Sequence, residues 1–147
     1  MHYARMLQTG RGGHRDFEEA ALWYMKAVDQ GDDLAAMNLG TMHLREELND
    51  SSAELAFKLF TFASSRMLGS AYLQLGHLYR TGVAVEQSIE LALFHYCIAV
   101  ELGQPGPWLD EAIQWKENFL SHLSSAARDH YDSAARSFIT ERRSTIH

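Results

Sequence analysis

At 147 residues the chain is long enough for one domain with a substantial core, and 46% apolar with 22% charged residues is ordinary for a globular protein. A formal net charge of −6 argues against a nucleic-acid partner, whose phosphates call for a basic face. No apolar run reaches the roughly 18 residues of a membrane span, and one cysteine, Cys97, leaves no internal disulfide or multi-cysteine zinc site.

The opening MHYARMLQTGRGG lacks the apolar core of a secretion signal. Tyr3, Ala4 and Leu7 stand instead in the phase of Leu39, Gly40 and His43 further on. The chain is therefore expected to begin partway through a helix, as a fragment of a longer repeat protein would. GRGGHRD has the glycines of a phosphate loop but neither a G-K-[ST] ending nor a preceding strand, and reads as a turn. Asp16, with Glu19 three residues later, forms a capping box. It starts a helix through Ala20, Trp23, Tyr24 and Ala27 to Gly31, a left-handed stop. The next helix carries Ala35, Leu39, Gly40 and His43. After the turn EELNDSS, Ser51 with Glu54 is expected to cap a helix bearing Ala56, Phe60 and Ala63. Met67 stands where other copies end in glycine, and Gly69 follows, so this helix is expected to run slightly longer.

AYLQLGHLY, Ala71–Tyr79, marks the next helix, closing near Gly82. Ser88 caps its successor, which carries Ala92, Tyr96 and Ala99 and stops at Gly103. Cys97 reads there as a buried structural thiol. GQPGPW breaks the chain, and Pro107 opens an amphipathic helix with Leu109, Ala112, Ile113, Lys116, Phe119, Leu120 and Leu123. In the final helix Ala127, Tyr131 and Ala134 echo Ala92, Tyr96 and Ala99 at an offset of 35. It is more polar than the others, as a capping helix should be, and ERRSTIH reads as a frayed tail.

The echoes are systematic. An offset of 36 aligns Ala20, Ala56 and Ala92; Tyr24, Phe60 and Tyr96; Ala27, Ala63 and Ala99. It also aligns Ala35 with Ala71, Leu39 with Leu75, Gly40 with Gly76, and His43 with Tyr79, while Gly10 and Gly82 share a phase with Glu46. Each unit is thus a helical hairpin that cannot bury its own apolar stripe and must stack on its neighbours. A glycine inside a helix costs about 1 kcal/mol against alanine. Gly40 and Gly76 are expected to allow close approach of a neighbouring backbone, with aromatic rings beside it.

The motif A-x-x-x-L-G-x-x-Y…A-x-x-x-Y-x-x-A resembles the Sel1-like repeat family of tetratricopeptide-like α-solenoids. One copy is carried by Gly10, Gly12, Asp16, Ala20, Trp23, Tyr24, Ala27 and Gly31. Another is carried by Ala71, Leu75, Gly76, Tyr79, Gly82, Val85, Ala92, Tyr96, Ala99 and Gly103. The middle copy has Glu46 for the inter-helix glycine, and its turn lacks G-x-G-V. The resemblance implies an all-α, right-handed α-α superhelix. Sel1-like repeats would fill residues 1–104 and C-terminal capping helices 105–142, leaving a tail at 143–147. It also implies adaptor or scaffold roles.

No residue pattern here announces catalysis. His43 and Glu47 have a spacing compatible with metal ligands, but no third ligand is evident and His43 occupies a repeat-tyrosine phase. His95 and His130 both precede a repeat tyrosine. No G-x-S-x-G elbow frames the serines. Trp23, Trp108 and Trp115 could form a ligand cage, Trp108 beside the Pro-Gly break above all, but packing is the preferred reading, with Trp23 at a core phase. No cofactor or metal is expected. In related solenoids the first-type helices line the concave side. In this chain that places Arg5, Asn38, Thr41, Arg45, Gln74, His77 and Thr81 on a face suited to a peptide with acidic or hydrogen-bonding groups. The leading expectation is a non-catalytic module that binds a protein partner, without nucleic acid or a membrane segment. Homodimerisation through the first helix and segment 107–124 is the alternative, and a small hydrolase or ligand-binding protein is the third.

Overall fold

The computed structural model describes residues 16–48 and 50–146, and the described residues contain helices and no strands. The helices group into two compact units that divide between Arg66 and Met67.

In the first unit, α1 (Phe17–Asp29) begins where the Glu19 N–H donates to Asp16 Oδ1 at 3.0 Å, the N-cap half of the capping box read from the sequence. Gly31 ends it with φ +88°. α2 (Asp33–Leu44) is capped by Asp32, which accepts the Ala35 N–H at 3.0 Å. α3 (Ala53–Ser65) is capped by Ser52, not Ser51: Ser52 Oγ accepts the Leu55 N–H at 3.2 Å. Ser51 turns back on Leu48 instead, accepting its N–H and donating to its carbonyl. α3 is also no longer than α1, at 13 residues each. Met67 itself takes the left-handed conformation, φ +61°, which the other copies give to glycine. Its buried side chain, 3.9 Å from the Tyr72 hydroxyl, accounts for a methionine there. Glu46 does the same at the inter-helix turn, with φ +57° against +73° at Gly82. Each costs about 1–2 kcal/mol relative to an unstrained residue.

The second unit holds α4 (Gly69–Thr81), α5 (Ile89–Leu102), α6 (Pro107–Leu120) and α7 (Ser125–Ile146). Ser88 caps α5 by accepting the Leu91 N–H, and Pro107 supplies the first residue of α6, both as read. α4 starts without a side-chain cap of its own. Gln104 replaces it from the loop after α5: its Oε1 accepts the Gly69 N–H at 2.7 Å and its Nε2 donates to the Met67 carbonyl at 2.9 Å. α5 is the centre of this unit, with Ala92, Leu93, Tyr96, Cys97, Ile98 and Ala99 all buried. α6 and α7 both pack on it. α7 continues to Ile146, through the segment read as a tail.

The repeat phases become burial. Ala20, Tyr24, Ala56, Phe60, Ala63, Ala92, Tyr96 and Ala99 are fully inaccessible, and Ala27 is half-buried. Gly40 and Gly76 have matching surroundings. A Cβ on Gly40 would lie 2.7 Å from the Phe60 ring, and one on Gly76 would lie 2.6 Å from the Tyr96 ring. The atoms that exclude a side chain are therefore the ring itself rather than a neighbouring backbone. Trp23 departs from its expected core phase. It is 40% exposed, with the Lys26 ammonium 4.7 Å from the centre of its ring. Cys97 is buried as expected, and desolvation pushes its thiol up to about 12.

Candidate functional site

The polar centre of the second unit grows from Tyr96. Glycine at position 76 lets the ring close up against α4, which brings its hydroxyl between two α4 side chains one turn apart. His77 Nδ1 is 2.8 Å from the Tyr96 hydroxyl and its Nε2 is 3.0 Å from Glu111 Oε1 of α6. Arg80 Nε–H donates to the same hydroxyl at 3.1 Å. With a carboxylate at one end and a guanidinium at the other, one set of roles satisfies every atom. Arg80 donates to Tyr96, Tyr96 O–H donates to His77 Nδ1, and His77 Nε2–H donates to Glu111. Burial holds His77 below the ordinary histidine range, against the opposing pull of Glu111, so the neutral ring this chain requires is the favoured one. Burial likewise raises the Tyr96 phenol.

Aromatic side chains hold the cluster. Trp115 of α6 stacks on Tyr96 and on Phe119, with centroids 6.1 and 6.2 Å apart. The Arg80 guanidinium sits 3.9 Å from the centre of the Trp115 ring. Among the described residues the two terminal nitrogens of Arg80 have no hydrogen-bond acceptor and no carboxylate within ion-pair distance.

The predicted binding residues fare differently. His77 is drawn into the cluster. Gln74 is half-buried on the same helix, and Thr81 is exposed with its hydroxyl spent on the His77 carbonyl at 2.8 Å. On α2, Asn38 is half-buried, Arg45 is exposed, and Thr41 donates to the Met37 carbonyl at 2.9 Å. The two sets belong to different units. Arg5 and Gly10 lie outside the described residues. The sequence reading missed Arg80, Tyr96 as a polar group, and Glu111. For His77, Arg80 and Glu111 the available signal was a departure from the preceding copy, which 36 positions earlier holds Thr41, Leu44 and Leu75, whereas Tyr96 keeps the repeat's own tyrosine, as at Tyr24.

The first unit offers a different surface. An apolar groove of about 380 Å³ is lined by Leu22 and Met25 of α1, Leu39 and His43 of α2, and Leu48 and Leu55, with Glu18 and Asp50 also contributing. It lies at EELNDSS, the turn that departs from the repeat. His43 is a packed ring, as its phase implied, and its Nδ1 accepts the Ser52 N–H at 3.1 Å. Among the described residues no group of three or more His, Cys, Asp or Glu could hold a metal ion, and no helix is long and apolar enough to cross a membrane.

The family model described as Sel1 repeat matches residues 1–32, 33–66 and 69–104. No curated protein matches the sequence. Among solved structures, a Sel1 repeat protein from Oxalobacter formigenes aligns with a TM-score of 0.66 and 23% identity, covering 80% of this chain and 84% of that one. A protective antigen present in uropathogenic Escherichia coli strains, displaying an SLR fold, aligns with a TM-score of 0.75 and 19% identity. That alignment covers 93% of this chain but 29% of the antigen, so the chain spans less than a third of its length. The fold is thus the all-α helical-hairpin fold of these repeat proteins.

Proposed function

The chain belongs to the Sel1 repeat family, and on that premise we propose that it is a non-catalytic adaptor or scaffold module that binds a partner protein on the face of its first-type helices. The observation that carries this is the His77–Tyr96–Arg80 cluster. Its His77 and Arg80 stand where the preceding copy has Thr41 and Leu44, and it ends, part-buried between α4 and α6, in a cation whose two terminal nitrogens have no acceptor among the described residues. Its groups favour recognition over proton transfer. Both nitrogens of His77 are engaged, the Tyr96 phenol is raised, and Cys97 is buried as a thiol. On this reading residues 105–142 act as the capping helices, with Trp115 also serving the binding face.

Site-specific photocrosslinking tests it. A photoreactive residue at Gln74 or Thr81 should capture a protein partner in cells producing the chain, and one at the exposed His130 of α7 should not. Equal capture from the two positions would remove the proposed face. Self-association is the second reading. The apolar side of α6 is largely used inside its own unit, although Ile113 stays 40% exposed. In the first unit Leu22, 66% exposed beside the groove, leaves apolar surface for a second copy. A concentration-independent monomer in sedimentation would exclude it.

A further inference from the structure

We infer that Arg80 is a specificity residue that receives an aspartate or glutamate carboxylate of the partner segment, an inference that rests on the protein-binding reading above. Three observations lead there. First, the guanidinium is oriented before any partner arrives. Its Nε–H is held by the Tyr96 hydroxyl at 3.1 Å and its central carbon, Cζ, sits over the Trp115 ring, 3.9 Å from its centre. Among the described residues, Arg66 and Arg142 approach phenylalanine rings without a side-chain hydrogen bond to fix them, whereas Arg128 and Arg136 are paired with Glu117 and Glu101. Arg80 combines a fixed plane with two terminal nitrogens that have no acceptor. That is the half of a bidentate carboxylate pair that the protein can supply, with its side-chain entropy already spent.

Second, the repeat does not need a charge there. The preceding copy fills the same phases with Thr41, Leu44 and Phe60 around Gly40, and its ring packs against the glycine just as closely. The imidazole and guanidinium are additions to a packing arrangement that works without them, and they engage a tyrosine hydroxyl at a phase where the first copy also has tyrosine, Tyr24.

Third, the surrounding charge selects the ligand. The chain carries a net charge of −6, and Glu111, about half exposed, stands on the other side of His77. A singly charged carboxylate suits a lone guanidinium in that field. A phosphate group or a nucleic-acid backbone would bring more negative charge to a site with one cation and a nearby carboxylate.

The test is selection from a displayed library of random linear peptides on the intact chain, followed by affinity measurements on one enriched synthetic peptide. Enriched sequences should share an Asp or Glu at a fixed position. Arg80→Gln should weaken the peptide about tenfold to a hundredfold, as loss of a charge-assisted hydrogen-bonded pair does. Arg80→Lys, which keeps charge but not the fork, should fall between. Replacing the peptide's acidic residue with its amide should weaken binding equally in the wild type and have no further effect in Arg80→Gln. Because the amide change leaves the protein untouched, its failure to weaken binding overturns the inference even where Arg80→Gln folds poorly, and Arg80→Lys, which keeps the charge, then supplies the assignment to this residue. Enriched peptides without an acidic position, or an amide change without effect, overturn the inference while leaving the binding face in place. A library that yields no binder overturns both.

Discussion

Replacing Gly76 with alanine sets two effects of opposite sign against each other. In an exposed helix the change would stabilise by about 1 kcal/mol. Here the new Cβ would lie 2.6, 2.8 and 3.1 Å from Cε1, Cδ1 and Cζ of Tyr96, so the ring must retreat by about 1 Å to reach ordinary contact. Tyr96 is fully inaccessible, lies against Trp115 and Phe119, and is tied to His77 and Arg80. Overpacking a core position costs about 1–3 kcal/mol. Straining a hydroxyl that serves two partners adds about 1 kcal/mol for each hydrogen bond lost. Clash therefore outweighs propensity, and Gly76→Ala should destabilise by about 2 kcal/mol, or about 4–8 °C in Tm for a chain of this size. Gly40→Ala meets Phe60 at 2.7 Å, but that ring has no hydroxyl to anchor it, so its loss should be smaller. Urea unfolding followed by tryptophan fluorescence measures both. Combining Gly76→Ala with Tyr96→Leu should recover at least about 1 kcal/mol relative to the sum of the single changes, because the two residues share one space. A Gly76→Ala protein as stable as the wild type would refute the argument that this ring dictates the glycine.

Three further outcomes follow from the same geometry. Glu46→Gly should raise the urea midpoint by the equivalent of about 0.5–1 kcal/mol, since the strain relieved at φ +57° exceeds the entropy glycine adds to the unfolded chain; an unchanged midpoint counts against it. Gln104→Ala leaves the buried Gly69 N–H without its acceptor and should cost about 1–3 kcal/mol, with amide exchange quickened in the first turn of α4. Burial lowers His43, His77 and His95 below their unfolded value of 6.5, so below that pH the unfolded chain binds more protons. Stability should be complete above about pH 6.5 and decline as pH falls through it toward the folded values. His95→Phe, which removes a ring hydrogen-bonded to the Leu91 carbonyl and packed near Tyr72 and Tyr79, should flatten that decline; an unchanged slope would show that His95 contributes nothing to it.

The architecture was legible because it depends on features that repeat. Alanine at 20, 56 and 92 and an aromatic at 24, 60 and 96 can coincide only if one packing arrangement recurs, and their complete burial follows from that. Caps were legible where the residue types allow one solution, as at Asp16 and Ser88. Where two serines adjoin, spacing alone could not choose between Ser51 and Ser52. Met67 and Glu46 misled for another reason. Glycine at those phases marks a left-handed backbone, but its absence does not abolish it: the flanking helices impose the conformation, and the residue present carries the strain. The candidate site was half visible. His77 was singled out by helix face, whereas Arg80 and Glu111 are meaningful only once Tyr96 brings α4, α5 and α6 to one point.

This contrast between repeated and unrepeated residues separates folding from recognition in a way that can be measured. Changing His77→Thr, Arg80→Leu and Tyr96→Phe together would give the second unit the residues that the preceding copy already uses. The change removes a part-buried polar chain as a whole, so it leaves no half-satisfied imidazole or phenol behind. Only Glu111 loses a partner, and at about half exposure water can replace it. Replacing all members of such a network with apolar groups of matching shape is often neutral or stabilising, whereas removing one member is costly. The triple variant should therefore unfold within about 1 kcal/mol of the wild type, while Tyr96→Phe alone, which strands His77 Nδ1 and Arg80 Nε, should lose about 1–3 kcal/mol. If the triple variant is the less stable of the two, the cluster belongs to the scaffold, and its departure from the repeat would no longer favour a role in binding.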